Sequence, residues 1–229
     1  CQLLGSQIDA NCAGQVLDFC FENGISKFDL AERYPFPEKQ DTVGETERIF
    51  GKWLKKMPRK EIIVTTKVTG RNNESWYGEQ SNRLTYNRIR NSIKNSLNRL
   101  NSDYIDVFFL HWPDRYTNNF GRKFYNPDPD PRLITFEEQF AALKESHQQG
   151  EIRAIGFANE TPWGLMKFIE CNRENNIKIY PNPANSWFKV ESENLLELDI
   201  YDLQGRKVFN SLVQNNTEVN VNFWKKGVY

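Results

Sequence analysis

From residue 9 to about residue 178, apolar positions recur first at helical and then at strand spacing. The segment AGQVLDFCFENG predicts a helix that Asp9 caps and Gly24 terminates. ISKFDL then predicts a short strand. Thr42 and Glu45 have capping-box spacing, ahead of a helix whose Ile49, Phe50, Trp53 and Leu54 make an apolar stripe. EIIVTTKV is β-branched and apolar, as a buried strand should be. Ile89, Ile93, Leu97 and Leu100 mark the next amphipathic helix, with Arg and Asn expected on its far side. IDVFFLH is apolar on both faces, which a parallel sheet requires. Thr135 and Glu138 cap another helix that stops near Gly150, IRAIGFAN is a fourth strand, and Thr161-Pro162 opens a last helix. Such alternation predicts an α/β fold with a parallel sheet.

After Ile177 the period changes to two. IKIYPNPANSWFKV, LLELDIYDLQGRKVF and TEVNVNFW alternate apolar and polar positions, and no helical stretch remains. Asp202-Leu-Gln-Gly205 reads as a hairpin turn. The expected organisation is residues 5–178 as one α/β part and 179–229 as a small all-β, sandwich-like module. IKIY is next in sequence after the fourth strand and is expected to extend the parallel sheet.

Composition narrows the function. Among 229 residues, 30 Lys and Arg balance 30 Asp and Glu, so no basic excess points to nucleic acid. Lys52, Lys55, Lys56, Arg59 and Lys60 cluster, but read as a solvated helix end. No long apolar run predicts a membrane-spanning helix. Cys1, Cys12, Cys20 and Cys171 show no metal-ligand spacing with either His, so no metal site is expected. The start CQLLGSQIDA has no Met and no leader pattern, as in a processed chain or a fragment.

Each of the four strands ends in a polar residue: Asp29, Lys67, His111 and Asn159, separated by 38, 44 and 48 positions. Taken singly, a strand-end Asp is a turn residue, a Lys a solvated one and a His a packing one. Four at the ends of consecutive strands point to a shared site, because parallel strands in a (β/α)₈ barrel converge on one mouth.

FDLAERYPFP resembles the Asp-x-Ala-x-x-Tyr segment of the aldo-keto reductase superfamily, and GETERIFGKWLKK, TTKV, NSLNRLNSDYIDVFFLHWPDR and IGFANE continue the likeness in order. The resemblance covers roughly residues 5–178 and implies strands 2–5 of an eight-stranded TIM-type barrel, with the first strand and the last three βα units lying outside it. It implies reduction of an aldehyde or ketone by hydride from NADPH, with Asp29, Tyr34, Lys67 and His111 as the catalytic tetrad. Tyr34 would donate the proton, Lys67 would lower its pKa, Asp29 would hold Lys67 ionised, and His111 would orient the carbonyl. Asn159 would bind the nicotinamide carboxamide and Trp112 would line the substrate pocket. Ala158 stands where the family commonly has Ser.

The tail is similar to another family. IYPNP, LLELDIYDLQGRKVF and KKGVY resemble the C-terminal sorting domain of type IX secretion cargo, which implies that secretion machinery as a partner and a secreted or cell-surface location; the reductase part implies the cytoplasm. Two other readings stand beside the reductase: a non-catalytic chimera or fragment carried by its sorting tail, and a regulatory aldo-keto-reductase-like binding subunit.

Overall fold

The computed structural model describes residues 1–72, 82–117, 134–172, 178–180, 187–201 and 207–220. The chain divides into two compact units, Cys1–Glu160 and Thr161–Tyr229.

In the first unit, helix and strand alternate as α1 (Ala10–Glu22), β1 (Lys27–Asp29), α2 (Glu45–Leu54), β2 (Ile63–Val68), α3 (Tyr86–Leu100), β3 (Ile105–Leu110), α4 (Phe136–Gln148) and β4 (Ile152–Phe157). The four strands pair in parallel in the order β1-β2-β3-β4, so each lies beside its neighbour in sequence. This parallel sheet is the partial barrel that the family resemblance implies.

The helix starts follow from their caps. The Asp9 carboxylate accepts from the N–H groups of Asn11 (2.8 Å) and Cys12 (2.9 Å), and these bonds hold its pKa below the ordinary value. Thr135 accepts from Glu138 N at 3.1 Å. Gly24, just past α1, has the left-handed φ of 84° that favours glycine.

The Thr42–Glu45 box does not form. Thr42 Oγ1 donates to the Lys39 carbonyl instead, and α2 begins after Gly44, whose φ of 80° suits glycine. Thr42 belongs to the turn before the helix, where a nearby backbone carbonyl competes for its hydroxyl.

The core fills one side of the sheet. Ile49, Phe50, Trp53 and Leu54 of α2 are buried, and Phe50 and Trp53 meet Phe28 of β1, with the three ring centroids 5.2–5.3 Å apart. Burying each such aromatic removes enough apolar surface to contribute roughly 2–3 kcal/mol. Ile89, Ile93 and Leu100 of α3 and Leu143 of α4 complete the layer. A Cβ on Gly51 would lie 2.3 Å from the Arg99 carbonyl oxygen, so glycine lets α2 and α3 approach this closely.

Charged groups are less exposed than the pattern implied. Arg90 of α3 is buried, with its guanidinium on Ser146, Gln149 and Glu151. Arg59 is no solvated residue either: it bonds Ser102, the carbonyls of Ile62 and Tyr104, and Asp106.

In the second unit Thr161 caps α5 (Pro162–Cys171) through Gly164 N at 3.1 Å. The strands β5 (Lys178–Tyr180), β6 (Trp187–Tyr201) and β7 (Lys207–Asn220) form one antiparallel sheet in that order. Phe188, Val190, Val213 and Val219 form its buried cluster, with Leu198, Ile200 and Phe209 against it. Among the described residues this is one sheet and not two stacked ones.

The sheet also corrects the expected place of IKIY. Residues 178–180 pair antiparallel with β6, Ile179 opposite Val190, and do not extend the parallel sheet. An alternating strand suits a sheet with one solvated face, whereas a parallel strand covered on both faces is apolar throughout. The Asp202–Gly205 turn, the IYPNP residues from Pro181 and the final GVY lie outside the described residues.

Candidate active site

The parallel pairing gathers the strand-end residues at one edge of the sheet. Asp29 closes β1, Lys67 lies one residue from the end of β2, His111 follows β3, and Asn159 lies two residues beyond β4. Parallel strands present these ends on the same side, where ligands of such sheets bind.

Lys67 is the centre of the group. Its Nζ donates to both Asp29 carboxylate oxygens at 2.7 Å and to the Leu30 carbonyl at 2.6 Å, which engages all three ammonium donors. Thr65 Oγ1 also donates to Asp29. Burial pulls the Lys67 pKa down, and the Asp29 hydrogen bond and charge push back against it.

Tyr34 and His111 flank this ammonium. The Tyr34 ring centroid is 5.6 Å from Lys67 Nζ and 5.9 Å from the His111 ring, which it meets nearly edge-on at 81°. Burial raises the Tyr34 pKa, the Asp29 charge raises it further, and Arg33 opposes them. His111 is pushed down to about 3 by burial, then by the positive charges of Lys67 and Arg33. It is neutral at physiological pH, and its buried Nδ1 has no hydrogen-bond partner among the described residues. A neutral imidazole retains one N–H to donate.

Asn159 takes the left-handed conformation, φ 53°, which its short amide side chain tolerates. Its Nδ2 donates to the His111 carbonyl at 2.8 Å, joining the turns after β3 and β4. Trp112 is buried, with its indole N–H on the Arg71 carbonyl at 2.7 Å.

Several bracing residues were not singled out in the sequence, although Glu32, Asp114, Arg115 and Glu160 lie within the motifs that carry the resemblance. Glu32, buried in the turn after β1, accepts from Thr69 N and Ser92 Oγ, each at 2.6 Å, and pairs with Arg88. Burial would raise its pKa, but the charge and hydrogen bonds of Arg88, with those of Ser92 and Thr69, outweigh that and hold it low. Asp114 plays a similar part after β3, accepting from Arg83 and from Leu84 N at 2.7 Å. Arg115 pairs with Glu160. These contacts join the turns and α3 to the sheet, and fix the backbone around Asp29, Lys67 and His111. Among the described residues no group of three or more His, Cys, Asp or Glu is placed to hold a metal ion.

With this arrangement in view, similarity to known proteins identifies the class. Residues 2–200 match the aldo/keto reductase family, and the chain belongs to that family. Residues 178–229 match the secretion system C-terminal sorting domain. Protein tas of Escherichia coli K12 is 36% identical over 203 residues, covering 86% of this chain and 58% of its own length. The NADH-specific methylglyoxal reductase of the same organism is 33% identical over 154 residues, covering 64% of this chain and 41% of its own length. The holo form of an aldo-keto reductase from Bacillus halodurans superposes with a TM-score of 0.53 at 28% identity, over 74% of this chain and 48% of that one. The chain thus spans about half the length of the relatives it matches.

Proposed function

We propose that residues 5–178 reduce an aldehyde or ketone with NADPH at Asp29, Tyr34, Lys67 and His111, and that residues 179–229 address the chain to type IX secretion machinery and hence to the cell surface or medium. The observation that carries the first part is the Lys67 ammonium, fully engaged by Asp29 and Leu30 and flanked by the Tyr34 and His111 rings.

A nicotinamide dinucleotide, when bound, supplies the hydride for the carbonyl carbon. Tyr34 is the proton donor to the carbonyl oxygen, and its raised pKa keeps the phenol protonated and ready at neutral pH. As the proton leaves, Lys67 stabilises the phenolate, which regains a proton from water. Neutral His111 donates its N–H to the carbonyl oxygen and so orients the substrate. Asn159 fits the carboxamide of nicotinamide: it is exposed, and with Nδ2 held by the His111 carbonyl it presents its amide oxygen as an acceptor. Trp112 forms a wall of the substrate site.

The test is carbonyl-dependent oxidation of NADPH by the purified chain, with NADH run beside it because one relative bears the name NADH-specific. Tyr34→Phe removes only a hydroxyl and should abolish turnover while leaving the circular dichroism unchanged. Lys67→Met should come close to the same loss. Turnover that survives both changes refutes the site.

The sorting-domain match supports the second part. Expressed in a host with a type IX system, the chain should appear at the surface or in the medium. It should stay inside when that system is deleted, and equal distribution in both hosts would count against the address.

A further inference from the structure

The turns after β1, β2 and β3 meet on one indole. A Cβ on Gly70 would lie 2.3 Å from the Trp112 carbonyl oxygen and 2.5 Å from its ring, so only glycine admits the tryptophan there. The Arg71 carbonyl takes the indole N–H, and the Arg33 guanidinium carbon lies 4.7 Å from the ring centroid. Arg33 adjoins Tyr34 in the chain, and Trp112 adjoins His111. The indole itself lies 5.1 Å from the His111 ring, centroid to centroid.

Arg33 is held but not saturated. One amino group, Nη2, pairs with Glu38, while Nε and Nη1 carry no hydrogen bond among the described residues. The side chain retains 23% of its exposure. A guanidinium fixed by a carboxylate at one edge and by an indole on one face is a preorganised fork for a second carboxylate. Its positive charge reaches both rings: at Tyr34 it follows burial and Asp29 in influence, and at His111 it follows burial and Lys67. His111 adds a buried ring nitrogen without a partner among the described residues.

We infer that Arg33 recognises a carboxylate on the carbonyl substrate, so that the site selects small oxo acids over neutral aldehydes and ketones. This rests on the reducing reading of Tyr34 and His111. Substrate carboxylate at the unused edge of Arg33 leaves the carbonyl to the phenol and the imidazole. Arg33 determines specificity and takes no part in the chemistry.

The test is calorimetric titration of the 229-residue chain with oxamate, a non-reducible carbonyl carboxylate, and with oxamide, its neutral isostere. Oxamate should bind at least about tenfold tighter than oxamide. Arg33→Gln should erase that preference, and Arg33→Lys, a charge without the fork, should retain part of it. If Arg33→Gln does not fold by circular dichroism, Arg33→Lys decides: a reduced preference supports the fork and an unchanged one overturns it. Equal affinity for the two ligands, binding of neither, or a preference that survives Arg33→Gln also overturns the inference. Repeating the titration with Tyr34→Phe separates the two readings. Oxamate preference there reports on Arg33 alone, whereas turnover by the unmodified chain reports on the tetrad.

Discussion

In the parallel unit, Glu47 is fully buried and holds the Thr66 hydroxyl and the Arg99 guanidinium at 2.6 Å each; Arg90 and Asp114 are also buried against ionic partners. In the antiparallel sheet of residues 178–220 the buried cluster is aliphatic and aromatic, and the Lys207–Asp199 pair lies towards solvent. The contrast follows from architecture. Helices cover the parallel strands, so charges that join them are enclosed and must be matched. The antiparallel sheet needs one apolar face and leaves its charges in water, where an ion pair contributes little.

Four measurements test this contrast, with hydrogen exchange of peptides from β2 and from β6 as the common readout. The largest effect should come from Glu47→Ala, which takes the carboxylate away from the half-buried Arg99 guanidinium and the buried Thr66 hydroxyl. A loss of ~3 kcal/mol is expected in β2 protection, with β6 unchanged. A uniform loss in both would mean that the two regions unfold as one.

Acid should act next. His111 is neutral in the folded chain down to about pH 3, while the unfolded chain takes up that proton below about pH 6.5. Stability is therefore present above 6.5 and falls as pH drops towards 3, by up to ~1.4 kcal/mol per pH unit from this group. Both histidines, His111 and His147, lie in the parallel unit, so β2 should lose protection across this window while β6 does not follow it. His111→Gln should flatten the β2 response.

Val213→Ala reverses the contrast. It should remove ~2 kcal/mol from the antiparallel sheet, as the loss of two buried carbons from a small cluster predicts, and leave β2 as it was. The smallest effect separates the two threonine caps. Thr135→Ala should cost ~1 kcal/mol and be seen at the start of α4, whereas Thr42→Ala should cost well under half of that. Equal losses would restore the Thr42 box.

These residues also show what the sequence made legible. The strands, their order and the Asp9, Thr135 and Thr161 caps depend on neighbours within a few positions, and local pattern reveals them. Thr42 had the right spacing but stands in a turn whose geometry spacing does not encode. Asp29, Tyr34, Lys67 and His111 could be proposed from the sequence because the segments that hold them carry a family likeness. Glu32, Glu47 and Arg90 were not proposed, since their partners Arg88, Arg99 and Glu151 lie 52 to 61 positions away. Arg33 is similar: only the folded turns bring it over Trp112. For IKIY, nearness in sequence to β4 misled, and its alternating pattern was the better guide.

The strand order β1-β2-β3-β4 has a kinetic consequence. Lys27 must find Ile63, Thr65 must find Val107, and Ile105 must find Ile152, each search closing a loop of roughly 40 residues before any ladder bond forms. Tyr201 and Lys207 meet across a handful of residues, and the rest of β6 and β7 can zip from there on the microsecond scale of hairpins. On the ribosome these roles invert in time. The slow parallel sheet emerges before the fast hairpin and can search while the hairpin is still being synthesised. Refolding from denaturant removes that head start, so β6–β7 should gain protection first and the parallel sheet should set the overall rate.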